Sequence, residues 1–303
     1  MDPLSDVLSL LKPRNSMSAG FDVGGDWRID FPDQAGTIKC GALVSGHCLL
    51  TVEGVPGVVR LGPGDGFLLP RGLPFTLAND LAVPGVKASA VFSVARRGGI
   101  VTHQGGGGCF LLSSRFALEG HHAGILLGAL PPIVHLKEGA LRWAVERMMQ
   151  ELRSPQPGSF LLLQHLAHMI LLDGLRQHVA AGAAEGWLSA LADRRMGQAM
   201  GAIHAEPARR WTLAELAGLA GMSRSVFALR FKAVVGTSPI DYLTRWRMAL
   251  ASDRLTAEPV AQVALSLGYE SESAFSTAFK RVMGCSPRHY GRGEGKGLLS
   301  PSS

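Results

Sequence analysis

The chain has 303 residues, a formal net charge of +6, 47% hydrophobic residues and 18% charged residues. That length accommodates two domains, and that balance excludes an intrinsically disordered chain. The opening MDPLSDVLSLLK is acidic, unlike a secretory leader, and the apolar run Leu161–Leu175 is broken by Gln164, His165, His168 and Asp173, so no bilayer span is expected. Cys40, Cys48, Cys109 and Cys285 form no C-x-x-C pair, which removes zinc-ribbon spacing. Reduced thiols in a cytoplasmic protein are expected, with a redox pair at Cys40 and Cys48 as the alternative.

Residues 27–97 alternate short apolar runs with Gly and Pro clusters: GALV from Gly41, HCLLTV from His47, VVRL from Val58, FLLP from Phe67 and AVFSV from Ala90. Such spacing predicts strands of a β-barrel or sandwich. The stretch GPGDGFLLPRG from Gly62 reads as a tight turn, a strand and a second turn. No Gly-Lys-Ser/Thr follows it, so it is not a phosphate cradle. The mouth of a barrel would hold a small-molecule effector, with Trp27, Phe31, Val44, His47, Leu49, Phe67, Leu69, Arg71 and Phe75 as lining candidates. Arg71 suits an anionic group on that ligand. His47 is a lone imidazole where a metal needs three or four ligands, and His121-His122 with Cys109 reads as exposed loop chemistry, so no metal, cofactor or catalytic residue is expected.

Gly98-Gly99 and Gly105–Gly108 read as turns closing the barrel. Two helices follow, Leu141–Leu152 and Phe160–Val179, as a hairpin broken at Ser154–Gly158. His165 and His168 are assigned to packing. Gly182–Gly186 reads as linker.

The C-terminal third repeats itself. FALRFKAVVGTSPIDY from Phe227 and FSTAFKRVMGCSPRHY from Phe275, forty-eight residues apart, both obey F-x-x-x-F-K-x-x-x-G-x-S-P-x-x-Y. Paired Phe residues four apart share a helix face, Gly236 and Gly284 end each helix, and Ser-Pro opens the next. Upstream, Thr212–Glu215 is a capping box, Gly221 breaks that helix and Ser223 caps the following one. Pro259, Gly268 and Ser271 repeat this with a turn one residue longer. Each copy is a helix-turn-helix, joined by a helix over Pro239–Leu255 with Ile240, Leu243, Trp246 and Leu250 inward. Asp193–Arg292 holds 14 Lys+Arg against 8 Asp+Glu, so the chain's whole positive surplus sits here, as a phosphate-binding surface requires. A helical repeat that binds protein is the alternative.

Motifs such as LAGLAGMSRSVF, SPIDYLTRWRMALA and LGYESESAFSTAFKRVMGCSPRHY resemble the AraC/XylS family of bacterial transcription regulators. The GPGDGFLLPRG segment is similar to the cupin-like sensor domain of many such regulators. The resemblance implies an α+β multidomain chain: a cupin-like β-barrel over 1–135, a helical dimerisation or connector region over 136–182, a linker over 183–192, tandem helix-turn-helix units over 193–292 and a disordered tail over 293–303. It implies a sequence-specific regulator, an activator as is commoner in the family, acting as a homodimer on double-stranded DNA and RNA polymerase. Cupin-like regulators commonly carry a histidine where this chain has Lys39 or Phe75. A cupin-type metal enzyme fused to a DNA-binding module and a non-specific architectural DNA binder are the competing readings.

The resemblance also implies recognition helices at Ser223–Val234 and Ser271–Val282. Opposite the Phe residues lie Ser225, Ala228, Leu229 and Lys232 in the first, and Ser273, Ser276, Thr277 and Lys280 in the second. Arg224, Arg230 and Glu272 flank these faces. Lys232, Lys280, Arg281 and Arg288, with Arg245 and Arg247 on the connector, suit phosphates. Family members often place arginine where this chain has Leu229 and Thr277. Its absence predicts fewer guanine contacts and more reading of thymine methyls and DNA shape.

Overall fold

The computed structural model describes residues 2–92, 99–118, 130–137, 142–182 and 186–292. The chain divides into two compact units: residues 13–118 with 130–182, and the N-terminal helix with 186–292. That helix, α1 (Pro3–Leu11), is opened by the Asp2 carboxylate, which accepts from Ser5 N, and by Pro3 at N1. Its Leu4, Val7, Leu10 and Leu11 are buried. This apolar face packs within the helical unit.

The sheet unit has eleven strands: β1 (Arg14–Val23), β2 (Arg28–Phe31), β3 (Thr37–Ser45), β4 (Cys48–Val52), β5 (Val59–Leu61), β6 (Gly66–Leu69), β7 (Phe75–Ala78), β8 (Val86–Lys87), β9 (Ile100–His103), β10 (Cys109–Ala117) and β11 (Val134–Leu136). Among the described residues they form a six-stranded sheet, β11-β6-β3-β10-β1-β9, and a five-stranded sheet, β5-β4-β7-β2-β8, rather than one closed sheet. Phe21, Leu43, Phe67, Leu69 and Leu111 of the first share a core with Ile29, Leu50, Phe75 and Leu77 of the second and with Trp27 just before β2. The strand expected from Ala90 is a short helix, α2 (Ala88–Val91), and residues 93–98 lie outside the described residues. An apolar run this short does not distinguish strand from helix.

Helices α3 (Arg142–Arg153) and α4 (Ser159–Ala180) form the expected hairpin. Gly174 of α4 lets it approach the large sheet: a Cβ there would stand 2.8 Å from Leu136 Cδ1. His168 is a packing residue, its ring nitrogens 2.7 Å from Gln164 O and 2.6 Å from Pro13 O.

The helical unit continues with α5 (Gly186–Ala192), α6 (Arg194–Ala205), α7 (Leu213–Leu219), α8 (Arg224–Val235), α9 (Pro239–Arg254), α10 (Val260–Ser266), α11 (Glu272–Met283) and α12 (Pro287–Gly291). Helix α5 occupies most of the stretch expected as linker, because Trp187, Leu188 and Ala190 are buried. The expected tail at 293–303 lies outside the described residues.

Candidate nucleic-acid interface and sensor cavity

The repeat's consensus is a packing code. Phe227 and Phe231 on α8, and Phe275 and Phe279 on α11, are fully buried. The motif's tyrosine meets the second Phe edge-on in both copies: Phe231–Tyr242 at 5.8 Å and Phe279–Tyr290 at 5.5 Å. Edge-to-face rings add roughly 0.5–1.5 kcal/mol beyond burial. Gly236 and Gly284 take the left-handed C-cap (φ 83° and 77°), and Ser238 and Ser286 cap the helices beginning at Pro239 and Pro287. One rule thus fixes each helix, its stop and the next start.

The helix upstream is fixed as tightly. Thr212 and Glu215 form a reciprocal capping box at α7. The hydrogen bonds of Thr212 and Arg209 draw the exposed Glu215 carboxyl down to about 2. In the second copy the one-residue-longer turn pivots on Gly268 (φ +79°), where a Cβ would meet the Ala208 carbonyl oxygen at 1.9 Å. Buried Phe rings turn the opposite faces of α8 and α11 outward. Arg224, Ser225, Leu229, Arg230, Lys232, Arg245, Ser273, Thr277, Lys280, Arg281 and Arg288 are exposed, while Ala228, Arg247, Glu272 and Ser276 are half-buried.

Three of the basic residues have partners. Arg230 Nη2 meets Asp193 Oδ2 at 2.6 Å and Arg288 Nη2 meets Glu272 Oε1 at 2.8 Å. Arg247 differs from its expected phosphate role: Nε donates to Pro207 O at 2.6 Å and Nη2 to Arg209 O at 2.9 Å, which pins the loop before α7 to α9. Val226, 54% exposed beside Leu229 at 76%, extends the outward face of α8. Its position three residues before Leu229 was the available signal. Ile240, expected inward, is 42% exposed.

In the sheet unit a cavity of about 500 Å³ opens between the two sheets. Of the expected effector residues Trp27, Phe31, His47, Phe67, Arg71 and Phe75, only Phe31 lines it. Trp27, Phe67 and Phe75 belong to the shared core, where Phe75 stacks behind Phe31 at 4.3 Å. His47 is exposed in the turn after β3, and Arg71 is spent on the Leu130 carbonyl, with Nε at 3.0 Å and Nη2 at 2.7 Å. Lys39, Arg115, Ser113, Gln34, Phe21 and Phe92 line the cavity instead. No local pattern in the sequence marks them, because a lining is set by which strands pair.

Residues 2–180 match the cupin family model and residues 216–293 the helix-turn-helix domain model. A putative AraC-like transcription regulator from Streptomyces antibioticus is 43% identical over 299 residues, covering 96% of this chain and 98% of that protein. The transcriptional regulator AlkR of Acinetobacter baylyi is 32% identical, covering 96% of this chain and 99% of its own. This chain belongs to the AraC-like family of transcription regulators.

As a member of that family it is a DNA-binding regulator, in keeping with the RCS-specific transcriptional activator RclR of Escherichia coli, 31% identical over 96% of this chain and 97% of that one. Among solved structures, the DNA-binding domain of AdpA in complex with a target DNA is 28% identical, covering 31% of this chain and 87% of that one, with a TM-score of 0.30. ToxT from Vibrio cholerae covers 90% of this chain and 93% of its own at 13% identity and a TM-score of 0.36. In this AraC-like chain no group of three His, Cys, Asp or Glu among the described residues is placed to hold a metal. The four cysteines are buried, and burial pushes the Cys40 thiol up to about 12 and Cys109 up to about 11, away from the reactive thiolate. No described helix is long and apolar enough to cross a membrane.

Proposed function

We propose that this regulator reads DNA with the outward faces of α8 and α11, held in fixed phase by α9, and that a small molecule in the sheet unit's cavity biases that engagement. The observation that carries the DNA half is the duplicated cap-and-core code, which turns Ser225 and Leu229 outward on one helix and Ser273 and Thr277 outward on the other. Two recognition helices on one DNA face require spacing of roughly 34 Å. Lys232, Lys280 and Arg281 supply phosphate contacts that fix register without reading sequence. An effector regulates only through unequal affinity for two states.

The hairpin supports a homodimer. Phe160, Leu161 and Met169 of α4 and Trp143 of α3 are 60%, 57%, 44% and 49% exposed, an apolar set that pairing would cover. Action as a cytoplasmic activator through RNA polymerase is the role the family likeness favours. Selection of bound duplex from a random pool tests the reading. Two short motifs about one helical turn apart support it; equal affinity for every duplex makes the protein an architectural binder instead.

A further inference from the structure

Strands β1, β10 and β3 lie side by side, and their register sets Met17 opposite Arg115 and Arg115 opposite Lys39. One row over, Ala19 faces Ser113. Alternation along each strand therefore puts Met17, Ala19, Phe21, Lys39, Ser113 and Arg115 on one face, and all six line the cavity. Two cations stand directly cross-strand, an arrangement that destabilises a sheet when nothing lies between them.

Lys39 is only 5% exposed, yet among the described residues its ammonium has no carboxylate partner. Its one ring contact is Phe31, whose centroid is 5.6 Å from Nζ. Arg115 Nε donates to Ser16 Oγ at 3.2 Å, and among the described residues no carboxylate meets its guanidinium either. Asp33, at the exposed rim, accepts from Ala35 N at 3.0 Å. Gln34 adds a buried side-chain carbonyl oxygen with no hydrogen-bond partner. Across the cavity Phe31 and Phe92 pack at 5.8 Å, and Phe21, on the cations' own face, lies 5.1 Å from Phe92, so the three form an aromatic wall.

We propose that this cavity binds an aromatic carboxylate, its carboxylate held between Lys39 and Arg115, its ring against Phe21, Phe31 and Phe92, and a hydroxyl on the ring donating to Gln34. The inference rests on the effector reading above and names the ligand class for that cavity. A buried ammonium beside a half-buried guanidinium, with no carboxylate between them among the described residues, is costly until an anion enters, and an anion between them removes both the like-charge repulsion and the missing pairing. The guanidinium accepts a planar carboxylate in two-point fashion, while the ammonium serves as a point charge.

Calorimetric titration of the full chain with hydroxynaphthoate and with its uncharged isostere hydroxynaphthamide tests this. Hydroxynaphthoate should bind, the amide at least about 10-fold more weakly, and Lys39→Met and Arg115→Gln should each weaken the carboxylate by about 10- to 100-fold and the amide, which keeps a carbonyl acceptor but no charge, far less. Absence of hydroxynaphthoate binding at millimolar concentration, equal affinity for the amide, or undiminished affinity in both variants overturns the assignment. Thermal unfolding reports whether each variant folds, and Phe92→Ala gives an independent arm that should weaken both probes alike. Binding of ligand-free protein to its selected duplex is measured in parallel. Lost duplex binding would count against the DNA reading, whereas retained duplex binding without carboxylate discrimination would count against this one.

Discussion

The imidazole Nε2 of His204 lies 2.8 Å from the phenolic oxygen of Tyr242, deep in the helical unit, where it ties α6 to α9. The ring also stacks on Trp246 at 4.0 Å and 17°. Burial pushes the imidazole down to about 3 and holds the phenol above its ordinary range. A neutral ring suits the tautomer protonated at Nδ1, which faces Asp6 of α1 at 3.3 Å. One residue thus joins α1, α6 and α9.

This geometry predicts acid sensitivity. The folded imidazole titrates near 3 against 6.5 unfolded, so the unfolded chain binds the extra proton between those values. Stability is complete above about pH 6.5 and is lost as pH falls toward 3. His204→Phe keeps the stack but loses the Tyr242 bond, at a cost of about 1–3 kcal/mol at pH 7. Urea midpoints from pH 4 to 7 should fall less steeply for the variant. Equal slopes would show that His204 does not carry the effect. Glu215, drawn down to about 2, is also lost on acidification, but in both proteins, so the difference between them is the readout.

Phosphate contacts and base reading separate by salt. Lys232→Ala and Lys280→Ala should each weaken every duplex alike and flatten the log K against log[salt] slope by ~0.9 for each phosphate left without its cation. Thr277→Arg should instead shift preference toward guanine at one position, because arginine bonds guanine in two-point fashion. Unchanged preference would place Thr277 off the reading face. Arg247→Ala should lower the unfolding midpoint more than the salt slope, since its donors already serve Pro207 and Arg209.

The two glycine stops should respond differently to alanine. Gly236 has a positive φ of 83° but open space around a Cβ, so Gly236→Ala should cost about 1–2 kcal/mol, the left-handed penalty alone. Gly268 adds the clash with Ala208 O at 1.9 Å, which forces backbone apart. Gly268→Ala should cost distinctly more and should weaken duplex binding through α11. Matched midpoints for the two variants would mean the Ala208 loop yields freely.

What the sequence revealed follows the range of the forces involved. Caps, stops and the Phe–Phe–Tyr code act within about a dozen residues, so Ser223, Gly236, Ser238 and their second copies were readable, including the single extra residue in the second turn. Helix α5 was hidden because Trp187 and Leu188 are too few to show a period, and only neighbouring helices reveal that they are buried. The cavity was hidden for a different reason. Lys39 and Arg115 meet only through the β3–β10 register, and no local pattern states which strands pair.

Buried Lys39 predicts a trade between stability and ligand binding. Burial, with Arg115 opposite, holds the Lys39 ammonium down to about 8 from 10.5. The unfolded chain therefore binds the extra proton between those values, and stability attributable to Lys39 climbs as pH rises from 8 to 10.5. Below about pH 8 the penalty is complete, at most about 3 kcal/mol. Cys40 works in the opposite sense at high pH, because its buried thiol resists ionisation, but it is present in both proteins. Lys39→Met should raise the unfolding midpoint at pH 7 and shrink its advantage as pH approaches 10.5. A variant less stable than the parent at pH 7 would mean that the ammonium already has a counter-charge in the empty protein, and the cavity would then have no unmet need for an anion.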